Sequence, residues 1–391
     1  MSALQQLSDD QLAIRDSVRD FVESKVIPVA NELDARNEQI PAALLAEMAA
    51  LGYFGMTIPE EYGGMGLDQL SMVLVSEELS RGWLSVGSIG TRGFIAAAAL
   101  LKHGTGEQKR RWLPKIASGE MLCAIALTEP DAGSDLAAVR CRAERVGDIF
   151  HVTGEKTWVT LADRATLMML LVRTGGDVTA RHQGLSVLFV EKEPGADLNP
   201  PILTGRPIPC VGYHGIRSYT MSIDGLMVPA ENLLGGVEGQ GFAQTMSALE
   251  TGRLQTSARA LGVMRAALED AITYAQERRQ FGKPLAAFQV IQHKIAHMAV
   301  LSESAQQLVY SVARKMDDGA RADKEASMAK SHATEVAFTV ADENLQIHGA
   351  YGYSMEYAAQ RFWRDARLLK IFEGTHEILQ TVIARAILDV V

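Results

Sequence analysis

Apolar positions along the chain change their spacing twice. Up to about residue 119 they recur at helical intervals interrupted by turn residues. Leu12, Val18, Val22 and Val26 form one stripe, which Pro28 is predicted to end; Pro41 opens another, Leu44, Leu45, Met48 and Leu51, which stops at Gly52. Helices are also expected over 69–79 and in a segment ending near His103-Gly104. The glycines of the loop 59–66 do not follow a strand, so no dinucleotide fingerprint is read there. The pattern then shortens to runs at 121–127, 140–146, 150–153, 167–173, 185–190 and 219–228, separated by Gly, Pro and Asp turns. Their alternation and β-branched content predict a small antiparallel sheet or barrel. Beyond Gly241, long amphipathic stretches near 242–278, 286–316, 322–348 and 375–390 predict an antiparallel helical bundle. The fold class is therefore α+β. The expected divisions are an N-terminal helical domain at 1–119, a middle β-barrel at 120–235 and a C-terminal helical bundle at 236–391.

Composition narrows the function classes. A hydrophobic share of 47% with 22% charged residues is that of a soluble globular protein. The net charge of −9 supplies no basic stripe for nucleic acid. Cys123, Cys141 and Cys210 lack metal-ligand or redox spacing and fit a reducing compartment. The first residues show no charged segment followed by an apolar one, and no apolar run is read as approaching the roughly 20 residues of a membrane span. A cytoplasmic protein is expected. His293 and His297 stand four apart as in a zinc helix, but Lys294 occupies the place of the metalloprotease Glu, so a plain helix is preferred and no metal is expected.

One segment carries candidate chemistry. Glu373 follows Ile371-Phe372 and precedes Gly374-Thr375, with Thr375 placed to cap a helix and Glu377 in its first turn. A glycine lets backbone approach a ligand, and apolar neighbours are expected to raise the pKa of Glu373 toward that of a general base. The rival reading is an acid that only caps or solvates a helix entry.

Four phrases together resemble the acyl-CoA dehydrogenases: 127–135 (LTEPDAGSD), 154–160 (GEKTWVT), 277–284 (ERRQFGKP), and Arg364-Asp365-Ala366-Arg367 with Phe372-Glu373-Gly374-Thr375. The resemblance spans essentially the whole chain. It implies a helical domain, a β-barrel and a four-helix bundle, with FAD between the last two. It also implies that Glu373 removes an α-proton while the β-hydrogen leaves as hydride to the flavin N5, giving a trans-2-enoyl-CoA. The backbone N–H of Glu373 and a flavin ribityl hydroxyl would hold the thioester carbonyl. The family's alternative base position falls on Gly252, which leaves Glu373 as the matching base.

By the same resemblance, Leu127, Thr128, Ser134, Trp158, Val159 and Thr160 are barrel-side FAD contacts. Arg278, Gln280, Phe281, Gln289, Gln346, Gly349 and Ala350 match turns that reach a cofactor, in part a neighbouring subunit's, and Thr375 and Glu377 complete the set. Ala350 stands where relatives carry a second glycine. Ser134, Glu250, Arg253 and Gly374 match substrate contacts, although Glu250 could equally pair with a neighbouring helix. The implied partners are an acyl-CoA, an electron-transfer flavoprotein and three further copies in a homotetramer. An acyl-CoA oxidase is a rival, disfavoured by the absence of a longer C-terminal region after Val391; a non-catalytic module of the same fold is another.

Departures from straight-chain members point to the substrate. Thr160-Leu161-Ala162, a shortened 215–229 segment, 235–242 and Arg253-Leu254-Gln255-Thr256 resemble the branch that oxidises 2-substituted succinyl-CoA esters, such as methylsuccinyl- or benzylsuccinyl-CoA. Arg92 aligns with acyl-pocket residues and could pair a second carboxylate, or else point outward to a surface acid. The arginine of glutaryl-CoA dehydrogenases maps onto Gly87. A short- or branched-chain monocarboxylic substrate is the alternative.

Overall fold

The computed structural model describes residues 7–176 and 178–388; part of the stretch read for a leader, residues 1–6, lies outside them. Helix α1 (Asp9–Phe21) starts at a capping box between Ser8 and Gln11. Pro28 does not end this stripe. A π-turn over Val22–Val26 leads directly into α2 (Ile27–Ala35), where Pro28 sits in the first turn and its missing N–H costs nothing. Then follow α3 (Ala42–Ala50), α4 (Gln69–Gly82), α5 (Leu84–Ile89), α6 (Thr91–His103) and α7 (Gly106–Ala117). The last opens on a second capping box, Thr105 with Gln108. Residues Leu84–His103 are long and apolar enough for a bilayer, contrary to the sequence expectation, but 89% of that window is buried within the protein. They are a core segment.

Seven strands form one curled sheet: β1 (Cys123–Ala126), β2 (Arg142–Val146), β3 (Ile149–Thr160), β4 (Leu167–Arg173), β5 (Leu185–Glu191), β6 (Leu203–Pro207) and β7 (Ser218–Pro229). The sheet is a half-barrel, not antiparallel throughout. β1 runs parallel to β4, and β2 meets β4 in parallel at Arg142 and Arg173. β4 is buried along its whole length, which explains its unbroken apolar run. β3 pairs antiparallel with β7 through a bulge between Lys156 and Val159, where Trp158 takes φ 58°. A bulge re-aims a side chain, and Trp158 is 56% exposed although its strand neighbours Lys156 and Val159 are buried.

The C-terminal part contains α8 (Gly241–Glu277), a two-stranded β8–β9 ribbon (Arg279–Gln280, Lys283–Pro284), α9 (Gln289–Asp317), α10 (Asp323–His348), α11 (Ala359–Leu369) and α12 (His376–Leu388). α8 packs against α4, α6, α9, α10 and α11. One apolar core runs from the N-terminal helices into this bundle. A second joins α6 and α7 to β1, β4 and β5 through Ile95, Leu100, Trp112, Leu167 and Leu185. α6 is thus the joint between sheet and bundle, and Arg92 lies in its first turn.

Candidate active site

Glu373 lies in the turn between α11 and α12, with φ 56°, followed by Gly374 at φ 97°. A non-glycine residue in that region costs about 1–3 kcal/mol and persists only where its surroundings hold it. Lys330, fully buried on α10, donates to Gly374 O at 2.6 Å and supplies part of that hold. Thr375 Oγ1 accepts from Ile378 N at 3.4 Å and its carbonyl from Leu379 N at 3.0 Å, so it heads α12 as expected. The N–H of Glu373 has no acceptor among the described residues.

The carboxylate of Glu373 faces α8. Gly252, Thr256 and Arg259 share one face of that helix by their spacing of four and three. Thr256 Oγ1 donates to Glu373 Oε2 at 2.5 Å, and Arg259 Nη2 donates to Oε1 and Oε2 at 2.9 and 3.0 Å. A methyl group on Gly252 would stand 3.3 Å from Glu373 Oε2 and 3.1 Å from Ile95 Cδ1, so the alternative base position does adjoin this carboxylate. Arg259 is wholly buried. It also donates to Ser88 Oγ at 3.1 Å and Gln255 O at 3.2 Å, and stacks its guanidinium 4.8 Å from the Phe372 ring centre.

This arrangement reverses the pKa expected for Glu373. Burial does push the carboxyl upward, but the charges of Arg259 and Arg92 and the hydrogen bonds of Thr256 and Arg259 outweigh it, and the net displacement is downward. The local sequence shows apolar neighbours; the cations arrive from α6 and α8. Lys330 moves oppositely to the norm for lysine, pushed down to about 7 by burial, against the attraction of Glu373 and with Arg259 and Arg253 adding to the depression.

Arg92 points inward: it is 7% exposed, and its Nη1 donates to Ser88 O and Tyr213 Oη, both at 3.0 Å. Among the described residues no acid lies within ion-pair distance of it. Tyr213 packs edge-on against Phe372, and its N–H donates to Asp365 Oδ1 at 2.9 Å, while Arg364 donates to Val211 O at 3.1 Å. The Arg364-Asp365 pair of the sequence signature therefore clamps the loop that carries Tyr213. Gly87 cannot hold an arginine, since even a methyl group there would meet Ser80 Oγ at 1.9 Å.

The other substrate candidates are less direct. Glu250 Oε1 accepts from Ala322 N at 2.9 Å, which caps the start of α10, and Arg253 pairs with Asp323. Ser134 is exposed.

The residues expected at a flavin fall into two groups. Leu127, Thr128, Trp158, Val159 and Thr160 are drawn together because Thr157 N donates to Thr128 O at 2.9 Å, joining the start of one segment to the bulge of the other. Within this group Val159 is buried in the sheet core and Thr160 bonds Ser218 at 2.9 Å, so neither side chain is free. Arg278, Gln280, Phe281, Gln289, Gln346, Gly349 and Ala350 cluster instead at the end of the bundle, where Arg278 lies 5.2 Å over Tyr351 and Phe281 is 92% exposed. Glu377 is fully exposed on α12. An indole re-aimed into the open by a bulge, with hydroxyls beside it, fits an isoalloxazine, and the arginine of the separate turn suits a pyrophosphate such as that of a neighbouring copy's cofactor. His293 and His297 are exposed on α9, and Lys294 between them pairs with Glu343.

Sequence reasoning missed Thr256, Arg259, Tyr213 and Lys330. Arg259 had a signal: a lone charge among Ser257, Ala258, Ala260, Leu261 and Gly262, on the helix face that carries Gly252.

Comparison with known proteins assigns this arrangement. Residues 8–120, 124–226 and 239–388 match the N-terminal, middle and C-terminal domains of acyl-CoA dehydrogenase, respectively. The chain is 50% identical over 386 residues to (2S)-methylsuccinyl-CoA dehydrogenase of Cereibacter sphaeroides, covering 98% of this chain and 70% of that one. A glutaryl-coenzyme A dehydrogenase solved with glutaryl-CoA superposes with TM-score 0.92 at 35% identity, over 99% of this chain and 97% of the other. A glutaryl-CoA dehydrogenase of Mycobacterium smegmatis in complex with FADH2 gives 0.90 at 27% identity, over 98% and 96%. With three domains matched in order, a half-barrel beside a bundle, and the signature acid at their junction, the chain belongs to the acyl-CoA dehydrogenase family of FAD-dependent oxidoreductases.

Proposed function

We propose that this acyl-CoA dehydrogenase oxidises a 2-substituted succinyl-CoA, with methylsuccinyl-CoA as the type substrate, and that Glu373 is the base. The observation that carries the substrate class is the charge balance at Glu373: two buried guanidiniums, Arg92 and Arg259, face a single carboxylate. A buried cation without a counter-charge is costly, and a second carboxylate on the substrate supplies one. A monocarboxylic acyl chain would leave Arg92 desolvated against methylene groups. The identity to a methylsuccinyl-CoA dehydrogenase supports the same reading.

In this reading Glu373 takes the proton from the carbon next to the thioester carbonyl. Its unpartnered N–H receives the carbonyl oxygen as negative charge develops there. FAD, when bound, accepts the β-hydrogen as hydride, which no side chain could do. Leu127 to Thr128 and Trp158 to Thr160 would hold the ring, the 346–350 turn would face phosphate, and Arg278 would reach the pyrophosphate of a neighbouring copy's cofactor. The exposed Phe281 and Tyr353, together with Val290 and Val300 on α9, support burial against further copies in a tetramer. The 37% identity to a caffeyl-CoA reductase-Etf complex subunit of Acetobacterium woodii supports an electron-transfer flavoprotein as acceptor.

The test is anaerobic titration of flavin-loaded protein with butyryl-, isobutyryl-, glutaryl-, methylsuccinyl- and benzylsuccinyl-CoA, following bleaching of the oxidised flavin. Strong bleaching by a substituted succinyl ester alone is expected, with the monocarboxylic thioesters reacting only slowly. Bleaching by butyryl- or isobutyryl-CoA instead would keep the dehydrogenase and remove the carboxylate reading.

A further inference from the structure

The pairing of Glu373 with Arg259 sits uneasily with a base. Both carboxylate oxygens accept from Arg259 Nη2, and Oε2 also accepts from Thr256. A carboxylate held this way by charge-assisted bonds is a weak proton acceptor, whereas the carbon acid beside a thioester needs a base tuned toward the working pH. Arg259 and Arg92 meet at one residue: Arg259 Nη1 bonds the hydroxyl of Ser88, and Arg92 Nη1 bonds its carbonyl. Either guanidinium could therefore receive an anion placed beside Ser88. Arg259 has independent anchors on Gln255 O and Ser88 Oγ, and its stack on Phe372, so it need not move when Nη2 changes partner.

We propose that Arg259 is a substrate-operated latch: it holds Glu373 until the free carboxylate of a dicarboxylic thioester takes its place on the Arg259–Arg92 pair and releases the base. This inference rests on the reading of Glu373 as base and of a succinyl-type substrate. It adds that the second carboxylate does more than bind: it switches on the group that reacts. A monocarboxylic thioester has no group to exchange and leaves Glu373 bound to Arg259, so selectivity appears in the chemical step as well as in affinity. No covalent bond changes in the switch; one ion pair is exchanged for another. Arg259 is a positioning residue here, acting through Glu373. Lys330 on Gly374 O, His376 against Ser331 Oγ, the exposed Glu377 and Arg253 on α8 also stand by this turn, and the exchange leaves them in place.

The limiting bleaching rate at saturating substrate reports the protonation of the complex. In the unaltered FAD-loaded protein its acid midpoint is expected about one pH unit or more higher with methylsuccinyl-CoA than with butyryl-CoA, because only the former takes Arg259 from Glu373 and sets a carboxylate nearby. In Arg259→Gln the two midpoints are expected to converge, the methylsuccinyl-CoA rate to fall about a hundredfold and the butyryl-CoA rate to rise. Arg259→Lys, which keeps a charge, should restore part of the preference. Coincident midpoints in the unaltered protein overturn the latch, and this comparison requires no variant to fold. So does an equal loss with both thioesters in an Arg259→Gln protein of normal flavin content. Failure of the underlying reading looks different: no thioester bleaches the flavin, or Glu373→Gln still reacts.

Discussion

Two buried acids in this molecule are each held by a buried cation, and they are built for opposite ends. Glu129 lies beside the sheet with Lys156 Nζ 2.9 Å from Oε1, and it also accepts from Arg140 N and Cys141 N at 2.7 and 2.8 Å. Lys156 spends a further bond on Leu127 O at 3.0 Å. One acid meets one base, every oxygen is occupied, and Glu129 has ordinary backbone angles. Glu373 meets two guanidiniums and sits at φ 56° beside a free backbone N–H. Burial and pairing are common to both, so neither marks a reactive group. What separates the sites is the excess of positive charge and the strained turn, features that a purely structural pair has no reason to keep.

The largest effects should come from removing each acid. Glu373→Gln keeps the shape of the turn and deletes the base. The rate of flavin bleaching by methylsuccinyl-CoA is expected to fall about 10²- to 10⁴-fold in protein that still binds flavin, with stability lowered as well because the buried Arg259 and Arg92 lose their carboxylate. Glu129→Gln should lower stability without removing the base. It leaves the buried Lys156 ammonium without its partner and is expected to cost about 3–5 kcal/mol of stability, read by urea or thermal unfolding. Since Lys156 ties the Leu127 carbonyl to β3, flavin affinity should fall with it. If Glu129→Gln lost turnover at full stability and full flavin content, the contrast between the two acids would collapse.

A smaller effect tests the charge excess directly. Arg92→Ala is expected to reduce the preference for methylsuccinyl- over butyryl-CoA roughly tenfold to a hundredfold, measured as the ratio of kcat/KM values. An unchanged ratio would mean that Arg92 serves only Ser88 and Tyr213.

How much of this was legible beforehand follows from how local each feature is. The helical stripes, the capping positions and the three-part order of helices, strands and helices depend on neighbours within a few residues, and the sequence displays them. Pro28 misled because its effect depends on whether a turn can widen ahead of it, and the π-turn at Val22–Val26 does so. The parallel pairing of β1 with β4 joins residues some forty apart and leaves no periodic trace. β6 was overlooked since only Leu203 of its five residues is buried. At the site, Glu373 stood out through a family phrase and a glycine, and Arg92 through its alignment. The direction of the Glu373 displacement was misjudged because its neighbours in sequence are apolar while its neighbours in space are Arg259 and Arg92.

The subtlest expectation concerns the lysine that holds the strained turn. Lys330 is pushed down to about 7 from 10.5 because burial disfavours its ammonium. Between those two values the unfolded chain binds a proton that the folded chain releases. Stability contributed at this position should therefore rise with pH from about 7 toward 10.5 and be flat below 7. Either protonation state can donate to Gly374 O, so the turn itself is kept throughout. Lys330→Met removes both the bond and the titration. The deficit of this variant against the unaltered protein should widen as pH is raised, by about 1.4 kcal/mol per unit at most, in denaturant unfolding at pH 6, 7.5 and 9. The matching experiment at the other buried pair, Lys156→Met, removes the partner of Glu129 and should cost stability at all three values. A deficit for Lys330→Met that stays constant across the series would place the ammonium in the folded state throughout, and Lys330 would then add a third cation to the excess at Glu373.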